Sequence, residues 1–232
     1  MPNWVFNEVE ITGDAESIAN LKAQVGASYS KDFVDNEWNA DNNEWVKKLK
    51  TVDFSNPVFS FWNIKKPEDA IMETYVGLVD DKVKIEDLSI MDKIMLDMST
   101  SNGWYEWNCR NWGTKWDVAV NDNDVYPDTS LEKETATSLA YRFNTAWGSP
   151  LEAITELAKQ YPSLTITINY EEEQGWGGSA VFQGGEVIDS NEYDVPSSHA
   201  EIVERGNECY CTGLEEDKVF SDCPVNLTSE TA

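Results

Sequence analysis

The residues best suited to chemistry lie in one short segment, residues 111 to 117, which reads NWGTKWD. Two indoles bracket a Gly-Thr-Lys turn that contains Lys115, and Asp117 follows the second indole. Aromatic walls with a few fixed polar groups are typical of small-ligand pockets. The segment therefore allows two interpretations, a pocket or a packed corner in which the indoles fill space. The pocket would be formed by Asn111, Trp112, Lys115, Trp116 and Asp117.

The common catalytic devices are missing from the sequence. The single histidine, His199, would have to serve any Ser-His-Asp or Cys-His arrangement, and it lies in an acidic, serine-containing loop. No GxxxxGK[ST] loop is present, and the glycines at 175, 177 and 178 lack both the GxGxxG spacing and a following helix. We assign no catalytic residue and lean against an enzyme.

Two candidate metal motifs fail on spacing. The run NDND at 121–124 resembles the start of a calcium loop, but Pro127 stands where the loop glycine belongs and Lys133 where the bidentate glutamate belongs. Cys209, Cys211 and Cys223 match no common zinc pattern, even with His199 added. We expect free thiols, no metal and no cofactor.

Charge is the strongest compositional signal. The chain of 232 residues has 43 acidic and 17 basic side chains, a net charge of −26, and residues 171–232 hold 15 acidic and two basic ones. Such a surface repels phosphate backbones and anionic lipid, so we expect no direct binding of nucleic acid or membrane. It attracts a basic protein instead.

Partner-binding residues are predicted from this charge and from tryptophan, which is enriched at interface hot spots. The tryptophans between residues 27 and 100 are candidate anchors, although they also fit a small core formed by that region itself. The candidates are Trp38, Trp45, Trp62, Glu171, Glu172, Glu173, Glu215, Glu216 and Asp217.

The elements that position these residues follow a β-α-β-β-α-β order, which predicts an α+β, ferredoxin-like split βαβ sandwich. Residues 4–12 and 164–170 alternate as strands, and residues 15–25 form a helix between Asp14 as N-cap and Gly26. Residues 115–120 and 138–146 are the middle strands, and Pro150 begins the second helix. The glycine-rich stretch at 175–185 predicts an added β-hairpin near the C-terminus.

Three regions result from this assignment. The ferredoxin-like core comprises residues 1–26 plus 101–190, a large insertion with its own small core follows the first helix at 27–100, and residues 191–232 form an acidic C-terminal extension. No run of 18 apolar residues and no signal-peptide pattern is present, so we expect the protein in the cytoplasm.

Four segments carry a family resemblance: MPNW with Asn7 and ITGD, then WYEWNCRNWGTKWD, FNTAWGSP, and YPSLTITINYEEEQGWGG. They resemble the YubB ferredoxin-like family of tailed-phage and conjugative-plasmid proteins, over about residues 1–26 and 101–190. Gly148 stands where that family more often has serine. The resemblance implies a ferredoxin-like fold and a home among accessory genes of mobile elements, with no activity to transfer.

The leading hypothesis is an acidic accessory protein of a phage or mobile element, acting in the host cytoplasm. It would bind and inhibit or redirect a basic host protein, such as a nucleic-acid-binding defence or transcription factor, as a mimic of nucleic acid. The alternative is a small-ligand or nucleotide-binding protein or enzyme that uses Trp112, Lys115, Trp116 and Asp117. A third hypothesis is a virion or assembly component.

Overall fold

The structure of the protein is a computed structural model. It describes residues 3–41, 43–67, 103–122, 128–205 and 223. The elements in this part of the chain are β1 (Trp4–Thr12), α1 (Ala15–Val25), β2 (Tyr29–Asn39), β3 (Glu44–Phe54), α2 (Trp104–Trp112), β4 (Ser130–Thr135), β5 (Ser138–Ala146), α3 (Leu151–Gln160), β6 (Thr165–Glu172), β7 (Gly177–Gln183), β8 (Glu186–Tyr193) and α4 (His199–Glu204).

The main sheet has six strands in the order β4-β5-β1-β6-β7-β8, and neighbouring strands are antiparallel. Its first four strands, with α1 after β1 and α3 between β5 and β6, have the connectivity of the split βαβ unit. The prediction of a ferredoxin-like α+β fold is confirmed. Beyond β6 the sheet continues through β7 and β8.

Alternation sets which face of the sheet is buried. Along β1, the side chains of Val5, Asn7, Val9 and Ile11 are buried and those of Phe6, Glu8 and Glu10 are exposed, so this strand has one core face and one open face. In α1, Ile18, Leu21 and Val25 lie at helical spacing and complete the core. The Ser17 amide donates to Asp14 Oδ1 at 2.8 Å, as expected for an N-cap.

The described residues directly after β3, up to residue 67, contribute to the main core. Phe59, Phe61, Trp62 and Ile64 are buried in the same cluster as the residues of β1, β5 and α3. Phe59 contacts Tyr141 and Phe143 of β5, with ring centroids 4.9 and 5.3 Å apart. The predicted division at residue 27 is therefore corrected for residues 59–64, because aromatic side chains from the insertion complete the core.

The second prediction to correct is the strand at residues 115–120, which is absent there. The amides of Val118 and Ala119 donate to Asp117 Oδ1, at 2.7 and 3.3 Å, so they are turned away from any strand partner. The strand beside β5 is instead β4, whose SLEKET sequence shows little apolar alternation.

The strands β2 and β3 form a separate two-stranded sheet. It joins the core at the Tyr29 end, where the Tyr29 ring stacks on Phe54 and Trp62 with centroids 4.5 and 5.6 Å apart. Asp122 strengthens this junction, since its carboxylate accepts from the Ser55 amide at 2.9 Å and the Ser55 hydroxyl at 2.6 Å.

The boundary between the core and the acidic extension also moves. The predicted boundary after residue 190 falls inside β8, which continues to Tyr193. Glu192 and Tyr193 of β8 pair with Gly178 and Gly177 of β7, so these residues belong to the sheet.

Candidate partner-binding site

The NWGTKWD segment begins at the end of α2. Gly113 follows Trp112 with a φ of 84°, a left-handed conformation that glycine adopts readily at a helix C-terminus. Trp112 is fully buried, and its indole N–H donates to the Lys65 carbonyl at 3.0 Å. This tryptophan is therefore a core residue and not the wall of a pocket.

Asp117 is turned inward and accepts six hydrogen bonds, with distances between 2.7 and 3.3 Å. The donors are the amides of Phe61, Trp62, Val118 and Ala119 and the hydroxyls of Tyr29 and Ser60. A carboxylate with two oxygens has about four acceptor positions, so this one is saturated. It organises the chain around it and has no acceptor position left for a ligand.

The predicted five-residue pocket is corrected accordingly. Asn111 donates its side-chain amide to the Trp107 carbonyl at 2.9 Å, within its own helix. Trp112 and Asp117 serve the core, whereas Trp116 is exposed at the surface. The segment divides into an inner half that holds the fold together and an outer half of Lys115 and Trp116.

The outer half of the segment contacts Trp147, a residue that was not predicted as part of the site. Lys115 Nζ lies 4.5 Å from the centroid of the Trp116 ring and 4.1 Å from that of Trp147, so the ammonium group is shared by two indoles. Trp116 and Trp147 are 41% and 48% exposed. A cation–π contact at such an exposed site contributes about 0.5–1 kcal/mol.

Trp147 has an unusual backbone for its size, with a φ of 75°. The left-handed region costs a non-glycine residue roughly 1–2 kcal/mol, and a bulky residue rarely occupies it. Its amide donates to the Asn3 carbonyl at 2.9 Å, which fixes it beside β1. Strained residues of this kind concentrate at functional sites.

A buried polar network holds this turn in place. Asn7 Nδ2 donates to Thr145 Oγ1 at 2.9 Å, and the Thr145 hydroxyl donates to the Gly148 carbonyl at 2.7 Å. The Thr114 hydroxyl bonds the Ala146 carbonyl at 2.9 Å. The two turns approach so closely that a Cβ at Gly148 would lie 2.5 Å from the Gly113 oxygen.

Two further rings, each partly buried, adjoin these exposed indoles. The Trp4 ring lies 6.3 Å from Trp116, and the Tyr105 ring lies 5.7 Å from Trp147, centroid to centroid. We call Trp4, Tyr105, Trp116 and Trp147 the aromatic rim. Only Trp116 among them was predicted as a site residue. The signal that could have indicated Trp147 is an indole directly before Gly-Ser-Pro, in a turn that has to adopt positive φ.

The predicted acidic run meets the aromatic rim. The Glu173 amide donates to the Trp4 carbonyl at 3.2 Å, and Glu171 pairs with Phe6 of β1. Glu171 and Glu173 are exposed, whereas Glu172 is 2% exposed and its Oε2 accepts from the Gln174 amide at 2.6 Å. The run therefore supplies two surface carboxylates, and Glu172 is corrected to a buried residue.

An acidic cleft of about 580 Å³ adjoins the same turns, with Gly113 and Gly148 in its lining. Its other lining residues include three carboxylates and three aromatic rings, from Glu152, Tyr170, Trp176, Glu192, Tyr193 and Asp194. Among the described residues, none of those that line the cleft is basic. A region of one charge sign in a low-dielectric cleft concentrates its field, so this surface attracts cations.

The other predicted anchors do not join this site. Trp62 is buried and stacked on Tyr29, so it is corrected to a core residue. Trp38 is 49% exposed on β2, opposite Trp45 of β3, whose side chain is outside the described residues. Glu215, Glu216 and Asp217 also lie outside them.

The described residues show no arrangement of three His, Cys, Asp or Glu side chains suited to a metal ion. Burial raises the pKa of the Cys109 thiol, and the nearby carboxylate of Glu106 acts in the same direction, which disfavours the reactive thiolate. Of the helices that are described, none has the length and apolar character needed to cross a membrane.

Comparison with family models supports the ferredoxin-like fold. Residues 115–213 match the model of a family described as "Ferredoxin-like domain in Api92-like protein", which is less than half of the chain. The crystal structure of a protein api92 from Yersinia pseudotuberculosis is similar, with 13% identity, a TM-score of 0.43, and coverage of 84% of this chain and 99% of that one. No curated protein matches the chain.

The family match shows a ferredoxin-like domain and names no activity. A TM-score below 0.5 carries no argument about the site. The description of the matching family does not mention YubB, so the resemblance to that family of phage and plasmid proteins stays a prediction.

Proposed function

We propose that the protein is a non-enzymatic binding protein that holds a basic partner protein at the aromatic rim and the adjoining acidic surface. The observation that carries this proposal is Trp147, whose backbone is strained and whose indole is half exposed although the core of the same chain buries other large rings. Such an arrangement costs stability, and contact with another molecule is the gain that explains it.

The composition of the surface suits a basic partner. Exposed indoles and a phenol supply the rigid apolar contact area on which interface hot spots depend. Glu171, Glu173 and the carboxylates of the cleft surround them, and opposite charges speed encounter and select a basic surface over a neutral one. Between residues 171 and 205 there are nine acidic side chains and one basic one.

The proposal includes the biological setting that the family resemblance implies. The chain is an accessory protein of a phage or mobile element and acts in the host cytoplasm. Its partner is a host protein with a basic nucleic-acid-binding cleft, in a defence or transcription system, and the acidic surface competes with nucleic acid for that cleft. Trp38, exposed on β2, remains a candidate second anchor.

Affinity capture from host lysate tests the proposal. Tagged chain is used at about 50 mM and about 500 mM salt, beside the double variant Trp116→Ala/Trp147→Gly and the control Val58→Ala. Val58 is an exposed apolar residue next to α1, away from the aromatic rim. We expect a basic protein to be retained at low salt by the parent and the control, released at high salt, and absent from the double variant.

Nucleic-acid mimicry leads to a second expected result in the same capture experiment. Duplex DNA added to the beads should elute the partner, because both ligands would occupy one cleft. Retention that is indifferent to salt and unaffected by the double variant would contradict the proposed site. A partner that is captured at the aromatic rim but is not displaced by DNA would contradict the mimicry alone.

A further inference from the structure

We infer that the outer edge of β8 binds an extended segment of the basic partner as an added strand. This inference rests on the proposed function, since it assigns the partner's mode of binding. The mode is β-strand addition, in which main-chain hydrogen bonds give affinity and alternate side chains give specificity.

The position of β8 in the sheet is the first argument. It is the last strand in the order and pairs with β7 alone, so among the described strands nothing pairs with its outer edge. An edge strand presents a row of unpaired N–H and C=O groups. One irregularity lies near its start, between the pairs Val181–Asp189 and Phe182–Val187, and the register from Asp189 to Tyr193 is continuous.

The opposite edge of the sheet shows what a protected edge looks like in this protein. There β4 is six residues long, has a register shift after Leu131, and carries Lys133 between glutamates. Short length, a bulge and a lysine are the devices that prevent edge-to-edge pairing. By contrast, β8 is eight residues long, has no basic residue, and exposes Val187 and Ile188 by 50% and 58%.

The charge of β8 indicates which kind of segment binds at its edge. The strand β8 carries Glu186, Asp189 and Glu192, and Asp194 follows it. Like charges placed opposite each other destabilise strand pairs, so these acids disfavour pairing with a second copy of β8, whereas opposite charges favour pairing. A segment with Lys or Arg at alternate positions is therefore the complementary strand.

The two faces of β8 give such a segment a carboxylate on either side. Asp189 pairs with Val181 and faces the open side of the sheet, whereas Glu192 pairs with Gly178 and faces the helices, where it accepts from the Tyr170 hydroxyl at 3.4 Å. Glu192 and Asp194 also line the acidic cleft. An added strand therefore runs toward the cleft beside the aromatic rim.

The test uses the full chain labelled with ¹⁵N and an eight-residue probe peptide of alternating Lys and Val. A second peptide has the same sequence with every amide N-methylated, which keeps the charge but removes the donors and the strand geometry. We expect the first peptide to protect amides of residues 189–193 from hydrogen exchange, and the methylated peptide to bind at least tenfold more weakly. Equal affinity of the two peptides would overturn the inference.

Charge variants provide the matched comparison. Asp189→Lys/Glu192→Lys should weaken binding of the probe peptide by tenfold or more. Glu16→Lys/Asp128→Lys makes the same change in net charge at exposed positions, in the first turn of α1 and two residues before β4, and should change affinity by less than twofold. A similar loss in both double variants would show that only net charge matters, and would overturn the inference.

Two further outcomes separate this inference from the proposed function. Protection of residues 189–193 in the peptide-free chain would mean that the edge is already occupied, and would overturn strand addition while leaving the aromatic rim as the site. Loss of capture in Trp116→Ala/Trp147→Gly without any peptide effect at β8 has the same meaning. Failure of the capture experiment itself would contradict the proposed function.

Discussion

Lys115 and Asp117 stand two positions apart and have opposite roles. The carboxylate of Asp117 is enclosed by six donors and holds residues 60–62 and 117–119 together, whereas the ammonium group of Lys115 lies between two exposed indoles. At the scale of single residues, the NWGTKWD segment is therefore both structural and outward-facing.

The first prediction concerns Asp117→Asn. The amide would put an N–H₂ group among donors and leave several of them without an acceptor, and we expect a loss of about 3 kcal/mol in the free energy of unfolding. Urea denaturation measures it. Asp128→Asn, at an exposed position, should change stability by less than about 0.5 kcal/mol. Equal stability of the two variants would contradict the structural role of Asp117.

Trp147→Gly tests the strain at the aromatic rim. Glycine adopts a φ of 75° without penalty, so the relief offsets the lost ring contacts and the greater freedom of the unfolded chain. We expect stability within about 1 kcal/mol of the parent, against a loss of roughly 3–5 kcal/mol for Trp112→Ala in the core. Denaturation curves that show similar losses for both variants would mean that Trp147 has a structural role.

Lys31 gives the chain a specific pH dependence. Burial lowers its pKa from 10.5 to about 8, against the opposing attraction of Asp117. Between those values the unfolded chain binds more protons than the native one, so this residue's contribution to stability rises with pH from about 8 to 10.5. Below pH 8 the buried charge costs up to roughly 3 kcal/mol.

Lys31→Met should therefore be more stable than the parent at pH 7, and the advantage should shrink toward pH 10. Unfolding free energies at pH 7, 8.5 and 10 measure the difference. Lys159→Met, at an exposed helix position, is the control and should show no such trend. An advantage that is constant with pH would contradict the account of Lys31.

At the scale of elements, the turns at Gly113 and Gly148 fix the position of the aromatic rim. A Cβ at Gly148 would lie 2.5 Å from the Gly113 oxygen, a backbone atom that moves only if the turn shifts. We expect Gly148→Ala to cost about 1–3 kcal/mol and to weaken capture of the partner. Gly184→Asn, with nothing within 4 Å and a residue that tolerates positive φ, should be nearly neutral. Similar denaturation midpoints would contradict this close approach.

The sequence was sufficient for elements whose own residues determine them. The helix α1 agrees with its predicted bounds because Asp14, the apolar spacing and Gly26 are all local signals. The strand at 115–120 was wrong because a side chain, Asp117, takes the amides that a strand would use, and local patterns do not show where a carboxylate turns. The edge strand β4 was missed because one face of it is barely buried.

The site was predictable only in part, for a similar reason. Trp116 and the acidic run were identified separately, but their proximity depends on the register of β1 with β5 and β6. Trp62 was assigned to a binding surface and Trp147 was not assigned to the site, because an indole has the same local signature in a core as at a surface. The backbone conformation at residue 147 distinguishes the two, and no composition rule indicates it.

At the scale of the whole molecule, the proposed binding of a basic protein explains both the large negative charge and the exposed aromatic rim. A net charge of −26 keeps copies of the chain apart, and the aromatic rim would expose the protein to nonspecific association without that charge. Together they favour contact with a basic protein over contact with another copy. The acids on β8 act in the same direction.

The most direct test is photo-crosslinking from a position beside the aromatic rim. Asn3 is suitable because its side chain is exposed and its carbonyl bonds the Trp147 amide, so a crosslinking residue there leaves the rings intact. The account predicts adducts with a basic host protein from position 3 at low salt. These adducts should disappear with Trp147→Gly, and position 16 on α1 should give none. Adducts from position 3 that persist in about 500 mM salt and in Trp147→Gly, or equal adducts from position 16, would contradict it.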